Sequence, residues 1–273
     1  MITVRSRRHP LTRTDGGQSH VIVIAHVSDI HVDVDPRSAA RTRAVMRYLE
    51  ELPYDLAAVL VTGDIADLGS PDGYAIARDL LVSRHPLLVC PGNHDVRADF
   101  RKSLLPEGTG VRPDAPVNQV LRGEGFVIAL CDSSVPGEDD GYLEDETLEW
   151  LDGVLADTPH EVPVLVGFHH PPVPLHTPYV DGIRQFGEER LAALADRHPH
   201  LTAFLAGHAH TAAATTFAGR PLLVAPGVVS TLRLPWENPS DDENVHLALP
   251  PGLAFHVLGD DGRLTTHYRT VTV

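Results

Sequence analysis

The feature of this chain that most constrains its fold is a series of short apolar runs, each ending in a cluster of polar residues. Residues 21–28 (VIVIAHVS) and 56–62 (LAAVLVT) are rich in β-branched residues, and similar runs cover residues 87–90, 163–168 and 201–206. Runs of this length are typical of strands that are buried on both faces. Stretches with helical spacing separate most of the runs. Strands that alternate with helices in this way predict an α/β fold with parallel strands.

The remaining elements continue this alternation and then change its character. After about Ala213, hairpin signals at Ala218-Gly219-Arg220 and at residues 259–262 predict an antiparallel portion. The Pro-rich stretches 171–178 and 228–251 are long for loops of a compact domain, and long loops often carry function. Helices are predicted over residues 38–52, 71–84, 98–105, 146–156 and 187–197, and a further strand over residues 126–131.

The composition restricts the partners that the protein can have. The chain of 273 residues has a formal net charge of −15, which disfavours a broad basic face for polymeric nucleic acid. A small phosphate substrate is still compatible with this charge, because bound metal ions reverse the local field. No apolar run approaches the roughly 18 residues of a membrane helix. We therefore expect no membrane contact and predict a cytoplasmic protein.

The organisation of the chain is predicted to be simple. No linker is evident, so residues 20–273 are predicted to form one domain. Residues 1–19 are polar, lack the apolar core of a secretory signal and are predicted to be a flexible tail. The two cysteines, Cys90 and Cys131, each lie in an apolar run, which favours buried free thiols over a disulfide.

Five polar clusters follow the apolar runs directly. Because ligands of such sheets bind beyond the carboxyl ends of the strands, the clusters are expected to meet in one place. Imidazole, carboxylate and amide groups without thiolates favour Mn, Fe or Zn over a soft metal. Asp29 and His31 should lie on one side of an extended strand, and so should His208 and His210. The clusters are Asp29-Ile30-His31, Gly63-Asp64-Ile65-Ala66-Asp67, Gly92-Asn93-His94-Asp95, His169-His170-Pro171 and Gly207-His208-Ala209-His210.

The order of these clusters resembles the D-x-H, G-D-x-x-D, G-N-H-D, H and G-H-x-H signature of the calcineurin-like metallophosphoesterases. The match extends from Asp29 to His210, about two thirds of the chain. The single piece GNHD would be weak evidence, but five pieces in family order are specific. The pieces VSDIH, VTGDIAD, PGNHD, HHPP and AGHAH look most like those of the class III cyclic nucleotide phosphodiesterases. The resemblance implies a four-layer α-β-β-α sandwich with mixed sheets and a site at one edge of both.

The resemblance also implies a site for two metal ions, Mn²⁺, Fe²⁺ or Fe³⁺, with Zn²⁺ as an alternative. His169 rather than His170 matches the family ligand, because one residue separates His169 from Pro171. Asp67 occupies the position of the tyrosine in purple acid phosphatases, which argues against a tyrosine-ligated ferric ion. One ion would be held by Asp29, His31 and His210, the other by Asn93, His169 and His208, and Asp64 would bridge both.

The implied activity is hydrolysis of a small phosphodiester by a hydroxide that bridges the two ions. The resemblance favours 3′,5′-cyclic nucleotides such as cyclic AMP as substrates. Asn93 and the metals would stabilise charge on the phosphate oxygens, and His94 would protonate the departing alkoxide. Asp95, His170 and Asp67 are candidates for groups behind the ligands, and Asp95 is expected to orient His94.

Other functions stay open from the sequence alone. The enzymatic alternatives are a broad-specificity phosphodiesterase acting on 2′,3′-cyclic nucleotides or glycerophosphodiesters, a phosphomonoesterase and a nuclease. A nuclease would need a basic substrate channel, which the acidic balance disfavours. The non-enzymatic alternative is a metallophosphoesterase fold that serves as an interaction scaffold and would be expected to lack part of the metal set. Members of the group are often oligomeric, so a homodimer is a further expectation.

Four residues outside the signature each have two interpretations. His26 should point to the strand face opposite Asp29, and a core histidine is favoured over a ligand. Arg97 and Arg233 could reach a phosphate, but surface cations are favoured. Trp236 could stack on a base, but packing of its loop onto the body of the protein is favoured.

Overall fold

The computed structural model describes residues 21–33, 35–105, 112–237 and 244–273. The predicted tail, residues 1–19, lies outside the described residues, and a single domain over 20–273 stays a prediction. The helices are α1 (Pro36–Glu50), α2 (Pro71–Leu80), α3 (Arg97–Leu104), α4 (Asp145–Ala156), α5 (Pro178–Gly182) and α6 (Glu188–Arg197). The strands are β1 (Ile22–Val27), β2 (Ala58–Thr62), β3 (Leu87–Cys90), β4 (Gln119–Gly123), β5 (Phe126–Leu130), β6 (Gly141–Tyr142), β7 (Val164–Gly167), β8 (Gln185–Phe186), β9 (Leu201–Ala206), β10 (Ala213–Phe217), β11 (Arg220–Val224), β12 (Thr231–Leu232), β13 (Val245–His246), β14 (Gly252–Leu258) and β15 (Leu264–Thr270).

Two mixed sheets form the centre of the protein. The first has the strand order β15-β14-β1-β2-β3, and the second has the order β10-β11-β9-β7-β5-β4. Strands β1, β2 and β3 are parallel, as are β5, β7, β9 and β11. Antiparallel pairs complete the edges at β14, β15, β10 and β4. The carboxyl ends of the parallel strands therefore lie at one edge of each sheet, where ligands of such sheets bind.

Three clusters of apolar side chains separate the layers. Leu49 of α1 packs on the outer face of the first sheet, and Leu151 of α4 and Leu191 of α6 pack on the outer face of the second. Between the sheets, Leu60 of β2 belongs to the same cluster as Ile128 of β5. The predicted four-layer α-β-β-α sandwich with mixed sheets is therefore confirmed.

Most predicted helices and strands begin and end within two residues of the observed ends. The exception is α2, which ends at Leu80 instead of at Arg84. Leu81 leaves the helical region with a ψ of 48°, and the side chain of Glu50 holds the Ser83 hydroxyl at 2.5 Å and the Arg84 amide at 3.1 Å. The edge strand β4, the helix α5 and the two-residue strands were not predicted, because such short or exposed segments show no clear period.

Both predicted hairpins are present. Phe217 of β10 pairs with Arg220 of β11 across Ala218 and Gly219. These two residues have φ angles of 47° and 72°, and the two-residue turns that suit hairpins need positive φ at both central positions. The second hairpin joins β14 to β15 across residues 259–263, which include the predicted turn 259–262. The antiparallel portion is thus confirmed.

The burial of single residues confirms some predictions and corrects one. Cys90 and Cys131 are buried free thiols, and His26 is a fully buried core histidine. Trp236 is 72% exposed, so the prediction that it packs onto the body is wrong. Its turn closes on itself, because the amide of Glu237 donates to Leu234 at 2.8 Å, and the indole stays outside. No helix in the described ranges is long and apolar enough to cross a membrane.

The prediction that Arg97 is a surface cation is also wrong. Its side chain is only 4% exposed and pairs with the buried carboxylate of Asp132 at 2.8 Å and with Glu144 at 2.7 Å. A third nitrogen donates to the carbonyl of Ser134 at 2.6 Å. Arg97 begins α3, which packs on the first sheet, and Asp132 follows β5 of the second. The ion pair therefore joins the two halves of the sandwich.

Replacing Arg97 with Met should lower the free energy of unfolding by about 3–5 kcal/mol, because Asp132 would stay buried without its partner. Denaturant unfolding followed by circular dichroism measures this change. The matched control is Arg112→Met, which breaks a pair with Glu146 whose side chains are 64% and 57% exposed. That pair should contribute less than about 1 kcal/mol. Equal losses in the two variants would contradict the structural role of Arg97.

Candidate metal centre

Five loops meet at the carboxyl ends of the parallel strands. Three follow β1, β2 and β3 of the first sheet, and two follow β7 and β9 of the second. Asp29 lies two residues beyond the end of β1, and His208 lies two residues beyond the end of β9. Because the loops leave the same edge of the sandwich, they bring their polar side chains together. The predicted convergence of the five clusters is present in the structure.

The backbone of these loops differs from the prediction that the two-residue pairs are extended. Asp29 and His31 have φ angles of 55° and 41°, and His208 and His210 have 68° and 52°. A non-glycine residue in this left-handed region costs about 1–3 kcal/mol and persists only where its surroundings fix it. Here the amide of His31 donates to the carbonyl of Asp64 at 2.9 Å. The chain turns sharply after each strand, and the side chains reach the site from these turns.

Two glycines allow the loops to approach one another closely. A Cβ atom on Gly63 would lie 2.3 Å from Nδ1 of His169, and one on Gly92 would lie 2.2 Å from Oδ1 of Asp64. Gly63 also has a φ of 86°, which glycine adopts without steric cost. The G-D and G-N pairs of the sequence therefore reflect packing around the buried polar side chains.

One set of donor atoms comes from Asp29, His31, Asp64 and His210. Nε2 of His31 lies 3.2 Å from Oδ2 of Asp64 and 3.2 Å from Nε2 of His210. Nε2 of His210 lies 3.6 Å from Oδ1 of Asp29. Their four ligand atoms lie close enough together to share one metal ion.

A second set surrounds the other oxygen of Asp64. Nε2 of His169 lies 3.2 Å from Oδ1 of Asn93, 3.2 Å from Nδ1 of His208 and 3.4 Å from Oδ1 of Asp64. Oδ1 of Asp64 thus faces this set, while Oδ2 faces His31. The structure therefore brings together all seven predicted ligands, with Asp64 between two groups of three.

Groups behind the rings fix which nitrogen carries the proton. Nδ1 of His31 lies 2.8 Å from the carboxylate of Asp67, and Nδ1 of His169 lies 2.7 Å from the carbonyl oxygen of Thr62. Both oxygens can only accept, so both histidines donate from Nδ1 and direct Nε2 inward. Proteins commonly orient metal-binding histidines in this way. Asp67 therefore lies where a group behind a ligand was predicted.

Ser230 supports the site in a way that the sequence did not reveal. Its hydroxyl lies 2.8 Å from Nδ1 of His210. Ser230 belongs to the irregular stretch 228–251, where no motif marks it. The start of this stretch is fixed to the body, because Nε of Arg41 donates to the carbonyl of Val228 at 2.6 Å. A serine in such a loop can be assigned a role only once the loop's path is known.

Asp64 dominates the electrostatics of the site. Burial lowers the pKa values of His31 and His169, but attraction to Asp64 and Asp29 and the hydrogen bonds of the two rings together outweigh burial and raise the values to about 10 and about 9. Burial raises the pKa of Asp64, but the two imidazoles outweigh that effect and hold it well below its ordinary value. The carboxylate therefore favours positive charge around it. Divalent cations would supply that charge in place of the protons, since metal ligation needs neutral imidazoles.

The donor atoms fit divalent transition-metal ions. Nitrogen and oxygen ligands lie about 2.0–2.2 Å from such an ion, so neighbouring ligands are roughly 3.0–3.4 Å apart. The separations of 3.2–3.6 Å in the first set and 3.2–3.4 Å in the second are close to this range. The lone pairs of His31 and His210 would repel each other at 3.2 Å without a cation or proton between them. Nitrogen and oxygen donors without sulfur favour Mn, Fe or Zn.

His94 lies beside this cluster, and its side chain is 39% exposed. Its ring meets the ring of His31 edge to face, with centroids 4.5 Å apart. Nδ1 lies 2.7 Å from the main-chain oxygen of Asp67. Because a carbonyl can only accept, Nδ1 donates this bond and Nε2 is the nitrogen left for a substrate.

The prediction that Asp95 orients His94 is wrong. The Asp95 side chain points away from His94 and connects the loops after β2 and β3 by hydrogen bonds. Burial and the nearby charge of Asp64 raise the pKa of this carboxyl group to about 6. Its oxygens accept hydrogen bonds of 2.9–3.1 Å from the amides of Ile65, Ala66 and Gly92 and from the Tyr74 hydroxyl.

His170 lies near the second donor set, but both of its ring nitrogens are engaged elsewhere. Nε2 lies 3.2 Å from the carbonyl of Asp139, and Nδ1 lies 2.9 Å from the hydroxyl of Ser133. The ring is close enough to His169 and His208 to be grouped with them by distance alone. Its occupied nitrogens agree with the assignment of His169, and not His170, as the ligand.

The cluster opens into a cavity of about 370 Å³. Asp33 and Asp35, just before α1, line the cavity, and so do Tyr179 of α5 and Leu247. The carbonyl groups at the ends of stretch 228–251 are held by arginines of α1, so this wall is tied to the body. The described residues that line the cavity do not include Arg97, Arg233 or Trp236. The cavity therefore gives no support to a phosphate contact of either arginine or a base contact of Trp236.

Comparisons with known proteins agree with this architecture. Residues 22–212 match the family described as calcineurin-like phosphoesterase. The chain is 34% identical over 222 residues to the glycerophosphodiester phosphodiesterase GpdQ of Enterobacter lignolyticus, covering 76% of this chain and 78% of the relative. It is 29% identical over 266 residues to the 3′,5′-cyclic adenosine monophosphate phosphodiesterase CpdA of Escherichia coli, covering 94% and 92%. Its fold matches a dimetal phosphatase from Danio rerio with a TM-score of 0.63 at 17% identity, covering 92% and 99%.

The chain therefore belongs to the calcineurin-like phosphoesterase family. Its activity is metal-dependent phosphodiester hydrolysis, in agreement with the phosphodiesterases to which it is similar. The order of the sequence clusters implies the same family. The five clusters lie on loops that meet at one site, which explains why they occur together in the sequence.

Replacing Asp64 with Ala should reduce the bound metal from two ions per chain to one or none, because both donor sets lose a charged ligand. Elemental analysis after dialysis against Mn²⁺ measures the ratio. The control is Asp72→Ala, which removes an exposed carboxylate from the first turn of α2 and should leave two ions bound. Two ions per chain in Asp64→Ala would contradict the bridging position of Asp64.

Proposed function

We propose that the protein hydrolyses small phosphodiesters and that 3′,5′-cyclic nucleotides such as cyclic AMP are its substrates. The observation that carries this proposal is the position of Asp64, whose two oxygens face separate donor sets beside a cavity. A pair of cations at such a site can hold the attacking and the leaving oxygens of one phosphate. Similarity to the cyclic AMP phosphodiesterase of Escherichia coli over 94% of the chain supports the choice of substrate.

The seven ligands divide between two Mn²⁺, Fe or Zn²⁺ ions in this proposal. Bound there, the ions would supply an activated water and a positive clamp on the phosphate oxygens. The chain supplies rigid placement, because Asp67, Thr62 and Ser230 hold the rings of three of the histidines from behind. Asp29, His31 and His210 would hold one ion, Asn93, His169 and His208 would hold the other, and Asp64 would offer one oxygen to each.

His94 is the proposed acid, and Asn93 is proposed to contact the phosphate. Nδ1 of His94 donates to the carbonyl of Asp67 at 2.7 Å, so the proposed acid is the doubly protonated ring, whose second proton lies on Nε2. When the phosphorus–oxygen bond breaks, that proton passes to the leaving oxygen and gives a neutral alcohol. Asn93 directs Oδ1 toward His169 at 3.2 Å, which leaves its amide nitrogen to donate to a phosphate oxygen.

The walls of the cavity support a small substrate with one negative charge. Asp33, Asp35 and Asp67 line it and would repel further phosphate groups, which disfavours a nucleic acid polymer. Tyr179 is 63% exposed and lines the cavity, as does Leu247. Such a surface suits the flat face of a nucleobase.

A second candidate substrate is a glycerophosphodiester. The observation in its favour is the 34% identity to a glycerophosphodiester phosphodiesterase. The 2′,3′-cyclic nucleotides and phosphomonoesters are further candidate substrates, and the panel described below includes one of each. The scaffold alternative has no support in the site, because the ligand set is complete and His94 is present. A homodimer stays a prediction.

A substrate panel on the protein loaded with Mn²⁺ tests the proposed function. It contains cyclic AMP, 2′,3′-cyclic AMP, glycerophosphocholine and a mono-aryl phosphate. We expect the highest kcat/KM for cyclic AMP, and Asp64→Ala serves as the inactive control. A higher kcat/KM for glycerophosphocholine would move the assignment to the second candidate. Turnover of the monoester alone would contradict phosphodiester hydrolysis.

Replacing His94 with Ala should leave both metal ions bound and slow the hydrolysis of substrates with alkyl leaving groups by about 10²–10⁴-fold. A diester with a nitrophenyl leaving group should be much less affected, because that anion leaves without a proton. Steady-state rates on both substrate types give the comparison. His160→Ala, a change at an exposed residue, is the control. An unchanged rate for the alkyl diester would remove His94 from the reaction.

A further inference from the structure

Two buried histidines belong to neither donor set. His26 on β1 and His256 on β14 are fully buried, and they lie on the strand faces that point toward the second sheet, as Ile24 and Leu258 do. Nδ1 of His26 lies 3.0 Å from Nε2 of His256. Nδ1 of His256 lies 2.8 Å from the hydroxyl of Thr266. Polar groups are costly in an apolar layer unless they are hydrogen-bonded, so the pair calls for a physical reason.

A chain of hydrogen bonds connects this pair with the metal centre. Nε2 of His26 lies 2.8 Å from the Thr62 hydroxyl, which lies 2.9 Å from the hydroxyl of Ser28. The Ser28 hydroxyl returns to the main-chain oxygen of Thr62 at 2.9 Å. The same carbonyl oxygen lies 2.7 Å from Nδ1 of His169. This chain of hydrogen bonds thus ends at the carbonyl oxygen of Thr62, which fixes the proton of the His169 ring on Nδ1.

The carbonyl at the end of the chain fixes the direction of every bond. It can only accept, so Ser28 places its one hydroxyl proton there. Ser28 Oγ must then accept the proton of the Thr62 hydroxyl, and Thr62 Oγ1 can only accept from Nε2 of His26. A neutral His26 that donates from Nε2 accepts at Nδ1. His256 therefore donates from Nε2 and accepts the hydroxyl proton of Thr266.

Burial keeps both rings neutral. Burial and the neighbouring His256 ring lower the pKa of His26 well below its ordinary value, and burial lowers the pKa of His256 to about 3. No carboxylate of the described residues forms an ion pair with either ring. Only one arrangement of protons therefore satisfies all the contacts in the chain.

We propose that His26 and His256 are positioning residues for the metal centre, acting on His169 through Thr62 and Ser28. The inference rests on the proposed function, since it requires His169 to hold a cation through Nε2. By donating to Thr62 Oγ1, His26 commits the hydroxyl proton of Thr62 to Ser28 Oγ and the hydroxyl proton of Ser28 to the Thr62 carbonyl. This carbonyl is held in place while it accepts the Nδ1 proton of His169, and Nε2 stays directed toward Asp64.

The loop that precedes His208 packs against the Ser28 hydroxyl and the Thr62 carbonyl. A Cβ atom on Gly207 would lie 1.9 Å from Oγ of Ser28 and 2.8 Å from the Thr62 carbonyl oxygen. The close approach of this loop to Ser28 therefore leaves no room for a side chain at position 207. The amide of Gly207 also donates to the carbonyl of His169 at 2.9 Å. The loop that carries His208 is thus packed against Ser28 and bonded to the main chain of His169, and both histidines belong to the second donor set.

The positions of the protons test the direction of the chain. Long-range ¹H–¹⁵N spectra of the zinc-loaded protein report which ring nitrogen of each histidine is protonated. We expect His26 and His256 to be neutral with the proton on Nε2, and His169 to carry its proton on Nδ1. A proton on Nδ1 of His26 would break the chain and overturn the proposal.

Thr62→Val tests the link to metal binding, because it removes the hydroxyl and leaves the carbonyl in place. We expect the affinity for one of the two Zn²⁺ ions to fall about tenfold or more, as for other groups behind metal ligands. Competition with a chromophoric zinc chelator measures both affinities. The matched control is Thr42→Val in α1, where a buried threonine hydroxyl that takes no part in these hydrogen bonds is lost. This control variant should bind both Zn²⁺ ions with unchanged affinity.

His26→Phe and His26→Gln separate positioning from stability. Phe removes the nitrogens, whereas Gln keeps an N–H group that can donate to Thr62 Oγ1. We expect Phe to weaken one zinc site about tenfold and Gln to restore most of that loss. His85→Phe, at a buried histidine that accepts the Leu56 amide, controls for the loss of a buried ring.

The outcomes distinguish this inference from the proposed function. If the unaltered protein binds fewer than two Zn²⁺ ions, the proposed function fails. If it binds two, and Thr62→Val and His26→Phe keep both affinities, only the positioning role fails. Loss of one site in these two variants, with both controls unchanged, supports the role of the buried pair.

Discussion

The structure depends on one buried carboxylate that attracts histidines from both sheets. Asp64 is 3% exposed, and its oxygens lie 3.2 Å from His31 and 3.4 Å from His169. A charge buried this deeply is tolerated only when opposite charge and hydrogen bonds surround it. The raised pKa values of the two imidazoles, about 10 and about 9, express that requirement. A pair of divalent cations meets it more fully than two protons, which is why the edge of the sandwich suits a dinuclear centre.

The scaffold meets this requirement by shaping its loops around the carboxylate. Asp29, His31 and Asp64 adopt left-handed backbone conformations, and Gly63 and Gly92 leave no room for a side chain. Such loops are strained and stay in place because the layers behind them are tightly packed. The donors are thereby fixed before any substrate arrives, and hydrolysis of a phosphodiester needs little further rearrangement.

The polar clusters at the strand ends predicted a shared metal site from their residue types, and the resemblance to the family implied which residues are its ligands. The sequence also predicted the four layers, since apolar runs and helical spacing carry the pattern of burial. The partners behind the ligands were harder to predict. Ser230 lies in an irregular stretch, and the carbonyl oxygens that hold His94 and His169 carry no residue signature. The predicted role of Asp95 was wrong because side chains that are neighbours in sequence need not be in contact. The burial of Arg97 was missed because the charge of a residue does not reveal whether it has a buried partner.

Anomalous diffraction from crystals grown with Mn²⁺ tests the central claim most directly. We expect two manganese peaks about 3.5–4 Å apart, one beside His31 and His210 and the other beside His169 and His208, with the carboxylate of Asp64 in contact with both. A single peak, or two peaks without Asp64 between them, would contradict the account.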